Sequence, residues 1–514
     1  MTISTFTFSR NFTEEEKSRF FLADENGFRE VSAAEIAEKG GFLVCHDYWM
    51  IARALRSSCG ALPKNVVDVD EFSILASKDP GARRRREKLD VVDRMSSFLL
   101  NGEETLLAYK KNFYQENTID LEVQENFHSL LLVYYIEICR RAAQNGELER
   151  FFGIELPCIS VCADISSKGI PIDGDRISGH RRLAGHAYYE SLRCLSDEFS
   201  IPLEVPSEQD DIRYARRIGV DLGEYGLDFA LNYLPQMTNY ASAVQNIRNL
   251  SAAREVLDSI PVKADRVFPT IDTQGSRTSR ISVRSPFLQS LPKRYRDIIR
   301  PDDAKTLAYV DFDQFEVGIM AALSGDKALH TLFDENDMYE SFRINHLEGQ
   351  GTRKAAKVLF LAYAYGMKKK NLPIVGASFG LDRRVVREAF SSFSTYEKWK
   401  QAKVVEFERR GFVSTSFGNR FYSAGPTPTR KEKLSAISQI VQGEGSLIFK
   451  KALLSVAGMA DVDVLLPMHD ALLFQHADPE TPHHVVATFV QTMTDHFDKT
   501  IKGKASIEPF FVNA

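Results

Sequence analysis

Cysteine is scarce and confined. Cys45, Cys59, Cys139, Cys158, Cys162 and Cys194 all lie in the first 194 positions of a 514-residue chain, and none forms a CxxC pair or a Cys/His set with zinc spacing. This argues against a disulfide scaffold or a zinc module and fits buried free thiols in a reducing compartment. Long apolar runs are missing too. The longest, around residues 130–136, is too short to span a bilayer, and the polar start over residues 1–15 has no apolar h-region. An intracellular protein with no membrane partner is expected. An excess of one charge is likewise absent: 65 Lys and Arg against 70 Asp and Glu leave a net charge of -5, so any nucleic-acid surface must be local.

What is present is apolar material for several cores, with 44% hydrophobic and 26% charged residues, and a length that suggests about two to four domains. The first ~155 residues read as an α/β unit, because short apolar runs at 41–45 and 66–69 alternate with a helical pattern over 93–107. A break is expected near 146–157. From 158 to about 261 the pattern is mainly helical, and an amphipathic stretch over 241–257 carries Arg248 and Arg254 at expected exposed positions. From 270 onward strand-like runs (306–312, 462–467, 471–474) are separated by long helical segments. A basic run, Arg83 to Arg86 with Lys88, follows the turn signal Asp79-Pro80-Gly81 and reads as solvated surface, since four adjacent arginines cannot share one face of a helix or strand.

Nucleotidyl transfer needs divalent cations held by carboxylates on rigid elements, so an Asp closing an apolar strand is the signal to seek. Asp311 closes Leu307-Ala308-Tyr309-Val310, and Asp470 stands between Leu465-Leu466-Pro467-Met468-His469 and Ala471-Leu472-Leu473-Phe474. Alone, each reads more readily as a turn or cap residue. Between them Arg353, Lys357, Leu361 and Tyr365 recur every fourth residue and would share one helical stripe, about 6 Å apart at each step. Two cations, an apolar residue and an aromatic in that order would meet a triphosphate, a sugar and a base. Gly366 is placed to end the helix.

Three segments resemble the motifs of family A DNA polymerases: Asp311-Phe312-Asp313-Gln314-Phe315-Glu316 with its continuation to Asp326, Arg353 to Gly366, and His469-Asp470 with Leu472-Leu473-Phe474. Thr278-Ser279-Arg280-Ile281-Ser282, Leu288-Gln289-Ser290-Leu291-Pro292, Gly418-Asn419-Arg420-Phe421-Tyr422 and Gln442-Gly443 are similar to further segments of the family, so the resemblance covers about residue 156 to the end. It implies an α/β and α+β multidomain fold, a right-hand polymerase with thumb (156–265), palm (266–335 and 426–514) and fingers (336–425), preceded over 1–155 by a ribonuclease H-like exonuclease-type domain.

Carried over by position, the resemblance implies that Asp311, the Phe312 carbonyl and Asp470 hold two Mg2+ ions, with Mn2+ able to substitute. One ion would activate the primer 3′-hydroxyl and the other neutralise pyrophosphate. Arg353 and Lys357 would grip the triphosphate, Glu316 would crowd a ribose 2′-hydroxyl, and Gln314, Leu361 and Tyr365 would line the nucleotide. Arg280, Gln289, Gln442 and His469 would face DNA, the first and third reading minor-groove acceptors, with Arg248 and Arg254 as phosphate contacts. Expected partners are primer-template DNA and dNTPs, with replication accessory proteins as further candidates, for a monomer in the cytoplasm of a bacterial cell or phage-infected host. Leu361 departs from the usual Phe or Tyr, Ala471 from an acid, Tyr339 from a nearby His and Gly318 from a basic residue. These departures predict altered affinity or fidelity rather than loss of activity.

The exonuclease motifs of such families are degenerate here. Phe42 to Ile51 is similar to the second motif, but Ile51 takes the metal-binding Asp position; Phe8-Ser9-Arg10 carries no acidic pair, and Tyr134 and Tyr135 lack a YxxxD. Loss of the nuclease with retention of the fold as a structural platform is expected. The rival readings are a single-subunit RNA polymerase, which Glu316 opposes, and a protein that only binds primer-template, which the complete set of motif residues opposes.

Overall fold

The computed structural model describes residues 2–10, 18–79, 82, 89–99, 101–116 and 118–512; the basic run at 83–88 lies outside them. Apolar residues build the first sheet: β1 (Ile3–Ser9), β2 (Arg19–Asp24), β3 (Gly27–Val31), β4 (Phe42–Cys45) and β5 (Val66–Asp68). Their order is β3-β2-β1-β4-β5, with β1, β2 and β3 antiparallel and β1, β4 and β5 parallel. Phe6, Leu22, Leu43, Val44 and Val66 pack from this sheet against Ile51 and Leu55 of the helix Tyr48–Cys59 and Phe127, Leu131 and Tyr134 of the helix Leu121–Gln144.

One expectation changes here. The single helix expected over 93–107 is two, Val91–Ser96 and Glu103–Lys110, and Gly102 stands between them at φ 95°. A side chain there would be strained in the left-handed region and its Cβ would meet Leu130 at 2.8 Å. At the break expected near 146–157 the chain turns at Gly146, at φ 66°, and then runs as helix through Leu148–Arg150, a π-helical Phe151–Glu155 and Leu156–Lys168. Leu156 and Ile159 belong to the first core, while Cys162 and Ile165 of the same helix belong to the next, so both units bury one helix.

A buried imidazole in the first unit makes its stability pH-dependent. The His128 nitrogens lie 2.8 Å from Thr5 Oγ1 and 3.0 Å from Thr7 Oγ1, and Thr7 in turn donates to Gln124. Burial lowers its pKa from 6.5 to about 3. A depressed histidine contributes stability fully above the unfolded pKa, and that contribution drains away as pH falls towards the folded value, at up to about 1.4 kcal/mol per pH unit. Melting curves from pH 7 to 4 should therefore fall more steeply for the parent than for His128→Gln; equal slopes would remove this account.

From Leu156 to Ile260 the chain is mainly helical, dominated by Gly174–Phe199 and Thr238–Ser259. Two-stranded pairs β6 (Ile170–Pro171) with β7 (Arg266–Val267) and β8 (Thr270–Asp272) with β9 (Ser282–Arg284) lead to the second large sheet. Its strands are β10 (Thr306–Phe312), β13 (Asp463–Met468), β14 (Ala471–His476) and β15 (Ala505–Ile507), in the antiparallel order β13-β14-β10-β15. The pair β11 (Phe412–Thr415) and β12 (Gly418–Tyr422) precedes the long helix Arg430–Ala457. Helices between 315 and 410 stand between the strands that carry Asp311 and Asp470. Among the described residues no helix is long and apolar enough to cross a membrane.

Candidate active site

The site grows from the central strand. Val310 is wholly buried, Asp311 pairs in register with Ala471, and the chain turns at Gln314 with φ 54° into the helix Phe315–Ser324. Stacking of Phe312 on Phe315, centroids 4.2 Å apart, pins that turn. On the adjacent strands Met468 pairs with Ala471, so His469 and Asp470 form the hairpin tip, His469 at φ 56°. Asp311, at the end of its strand, and Asp470, on the adjacent hairpin tip, thus lie at the same end of the sheet. Burial, then the repulsion of Asp470 and Asp313, raises the Asp311 pKa to about 7, and burial also raises Asp470. This mutual repulsion in a partly buried cleft is what a divalent cation would relieve. Among the described residues no group of three or more His, Cys, Asp or Glu side chains is arranged to hold a metal.

The helix Arg353–Ala364 begins at Thr352, whose side chain accepts from Ala355 N, and ends as expected at Tyr365 and Gly366, the latter at φ 89°. Ala356, Leu359, Phe360 and Tyr363 are buried, Arg353 and Lys357 are exposed, and Leu361 and Tyr365 are half-buried. The cationic half of the expected stripe is therefore exposed, while Leu361 and Tyr365 pack partly against the core. A cleft of about 590 Å³ brings Arg280, Asp311, Phe312, Gln314, Glu316, Arg353, Lys357, Leu361, His469 and Asp470 together with Asp313, Asn336, Asp337 and Tyr339. Glu316 accepts from Arg280 Nη2 at 2.9 Å, and burial with the nearby Glu316 charge pushes the Tyr365 phenol up.

Several expected contacts lie elsewhere. Gln289 is buried and its amide is committed: Oε1 accepts from Val283 N at 3.0 Å while Nε2 donates to Ile281 O at 3.3 Å and Pro467 O at 2.8 Å. It braces the strand before Asp470 and has no donor left for DNA. Gln314 lines the cleft, yet its amide is bonded to Asn336 O at 3.0 Å and Met338 N at 3.2 Å. Arg248 is half-buried and donates to Asp211 Oδ2 at 2.7 Å and Pro206 O at 2.8 Å, and Arg254, also half-buried, lies 4.3 Å from the Tyr188 ring. Gln442 is half-buried on the helix Arg430–Ala457, outside the cleft lining.

Asp337, which sequence reading passed over, pairs with Arg353. Its signal was Asp at the N-cap of Met338–His346. Gly318 has a steric reason: a Cβ there would lie 2.6 Å from Met493 Cε and 2.7 Å from the Phe333 ring, leaving no place for a basic side chain.

In the first unit the degenerate motif positions are occupied by packing groups. Ile51 is buried in the core, and Ser9 is buried at the end of β1. Asp47 holds His46 at 3.0 Å, Tyr114 at 2.8 Å and Trp49 at 3.2 Å, and Asp70 pairs with Arg94.

The chain resembles proteins of known type along most of its length. It is 24% identical over 397 residues to DNA polymerase I of Chloroflexus aurantiacus, covering 68% of this chain and 42% of that protein. It is 21% identical over 412 residues to DNA polymerase I of Bacillus subtilis, covering 70% and 45%. It therefore spans less than half the length of these relatives. The fold matches the POL domain of Pol1 from M. smegmatis, solved in complex with DNA primer-template and dNTP, at a TM-score of 0.73 and 17% identity over 98% of this chain and 94% of that one. The sequence profile of DNA polymerase family A matches residues 229–508, which takes in every residue of the cleft, and the chain belongs to that family.

Proposed function

We propose that this chain is a template-directed DNA polymerase that adds dNTPs to a primer 3′-hydroxyl. The observation that carries the reading is the meeting of Asp311 and Asp470 with Arg353 and Lys357 in the lining of one cleft. In this reading residues 156–265 are the thumb, 266–335 and 426–514 the palm and 336–425 the fingers.

Asp311, the Phe312 carbonyl and Asp470 are the groups that would hold two Mg2+ ions, or Mn2+ in their place, which when bound lower the pKa of the attacking hydroxyl and neutralise the leaving group. Arg353 offers a planar fork to the triphosphate and Lys357 a point charge. Leu361 and Tyr365 continue the stripe beneath the sugar and base, with Leu361 supplying apolar contact where an aromatic is usual. Primer-template DNA and dNTPs are the partners. His469 at the exposed hairpin tip and Arg280 are the groups of the cleft nearest to a primer terminus in this reading. Arg280 would exchange its Glu316 pair for a minor-groove acceptor.

We further propose that residues 1–155 form an exonuclease-like domain without nuclease activity. Its mixed five-stranded sheet suits a ribonuclease H-like domain, whereas the packing of Ile51 and the internal bonding of Asp47 suit a platform rather than a metal site.

The test is extension of a labelled primer on a template in Mg2+, with dNTPs and rNTPs in parallel. Extension with dNTPs and no shortening of the primer is expected. DNA binding without extension would overturn the catalytic reading, and primer shortening lost on deleting residues 1–150 would overturn the nuclease-free one. Glu316 gives a second readout. Glu316→Ala should raise rNTP use relative to dNTP by roughly 10- to 100-fold, the range expected when one hydroxyl loses its steric opponent. An unchanged ratio would remove Glu316 as the gate.

A further inference from the structure

Arg353 and Lys357, the two cations that one helix brings to the cleft, are flanked by a neighbouring segment, the start of the helix Met338–His346. Asp337 divides its carboxylate. Oδ1 accepts from the backbone N–H of Tyr339 and of Glu340, both at 3.1 Å, and so caps the helix, while Oδ2 accepts from Nε of Arg353. Because this pair uses Nε, the terminal nitrogens of the guanidinium, which form its bidentate edge, donate to no protein acceptor among the described residues. The buried Tyr339 ring lies 5.7 Å from Arg353 Cζ and 5.4 Å from Lys357 Nζ, so one aromatic serves both cations. Gln314 anchors the same segment to the turn after Asp311 through Asn336 O and Met338 N.

We infer that Asp337 is a positioning residue for the triphosphate grip, holding Arg353 by Nε so that its Nη1 and Nη2 edge is presented to the phosphates above a shelf formed by Tyr339. The inference rests on the polymerase reading and deepens it. A free arginine carries rotamer entropy that binding must remove, whereas a guanidinium already fixed at Nε has lost much of it beforehand. The carboxylate does not repel the incoming anion strongly, because two backbone N–H groups and Arg353 itself neutralise it.

Asp337→Asn separates the two tasks. Asn caps helices as well as Asp does, so Oδ1 can keep its bonds, while the acceptor for Arg353 is replaced by a donor. The expected result is a roughly tenfold rise in KM for dNTP. kcat should stay within about threefold, the split expected for lost uniform binding, and the melting temperature should be unchanged. In an Arg353→Ala background the same substitution should add nothing. A KM that falls would make Asp337 a competitor of the triphosphate and overturn the inference, as would additive effects in the double variant. If the parent extends no primer, the polymerase reading falls instead. Calorimetric titration of dNTP into parent and Asp337→Asn then decides the inference, with equal affinities overturning it.

Discussion

Asp470→Ala is expected to remove primer extension almost entirely, by about a thousandfold or more, since the charge stabilisation lost with one of two metal-holding carboxylates amounts to several kcal/mol. The geometry makes the loss hard to compensate. Asp470 occupies a hairpin tip whose register places it beside Asp311, and burial already raises both carboxylates. Arg353 and Lys357 come from a separate helix, so they can still bind a triphosphate. Single-turnover extension measured beside fluorescence anisotropy of labelled primer-template separates the two outcomes. Extension lost with DNA binding kept is expected. Extension within tenfold of the parent would show that the carboxylates are turn and cap residues, as the plainer reading of the sequence has it.

Lys450→Met should destabilise the protein by about 3–5 kcal/mol, the usual cost of stranding a buried charge. Lys450 and Glu155 are each only 1% exposed, and Nζ donates to both Glu155 oxygens, at 2.9 and 2.7 Å. Arg150, itself buried, donates to Glu155 at 2.6 Å, Glu147 at 2.8 Å and Ser279 Oγ at 2.8 Å, and Glu147 accepts from the backbone N–H of Asn419 and Arg420. Burial works against the Glu155 charge, but Lys450 and Arg150 hold its carboxyl below the usual range. The cluster joins the end of the first unit to the long helix Arg430–Ala457 and to the turn just before Arg280. Denaturant unfolding followed by both tryptophan fluorescence and circular dichroism should show the midpoint falling, with the two signals still coincident. A shift below about 1 kcal/mol would mean that the network is exchangeable.

The strands that carry the carboxylates and the helix that carries the cations were legible because their causes are local. β10, β13 and β14 are short apolar runs punctuated by Asp, and Arg353, Lys357, Leu361 and Tyr365 repeat at the helical interval until Gly366 stops it. What escaped was set by distant partners. Glu155 and Lys450 are separated by 295 positions, and Gln289 reaches Pro467 across 178. Nothing in the periodicity around Gln289 announces that its amide is already satisfied. Arg248 appears amphipathically exposed until Asp211 comes to meet it, and Gly102 divides a helical pattern because Leu130 of another helix crowds it.

The placement of one carboxylate on a strand and the other on the hairpin tip beside it has a consequence for how the cleft tolerates change. Neighbouring strands are spaced about 4.8 Å apart by their backbone hydrogen bonds, whatever side chains they carry. Pairing of Asp311 with Ala471 thus fixes where the hairpin tip bearing Asp470 emerges, wherever β10 and β14 keep their register. The two cations have no such ruler: their position depends on a helix, a capped neighbour and one glutamine. Sequence drift can therefore retune the grip on the nucleotide while the carboxylate pair stays in gauge.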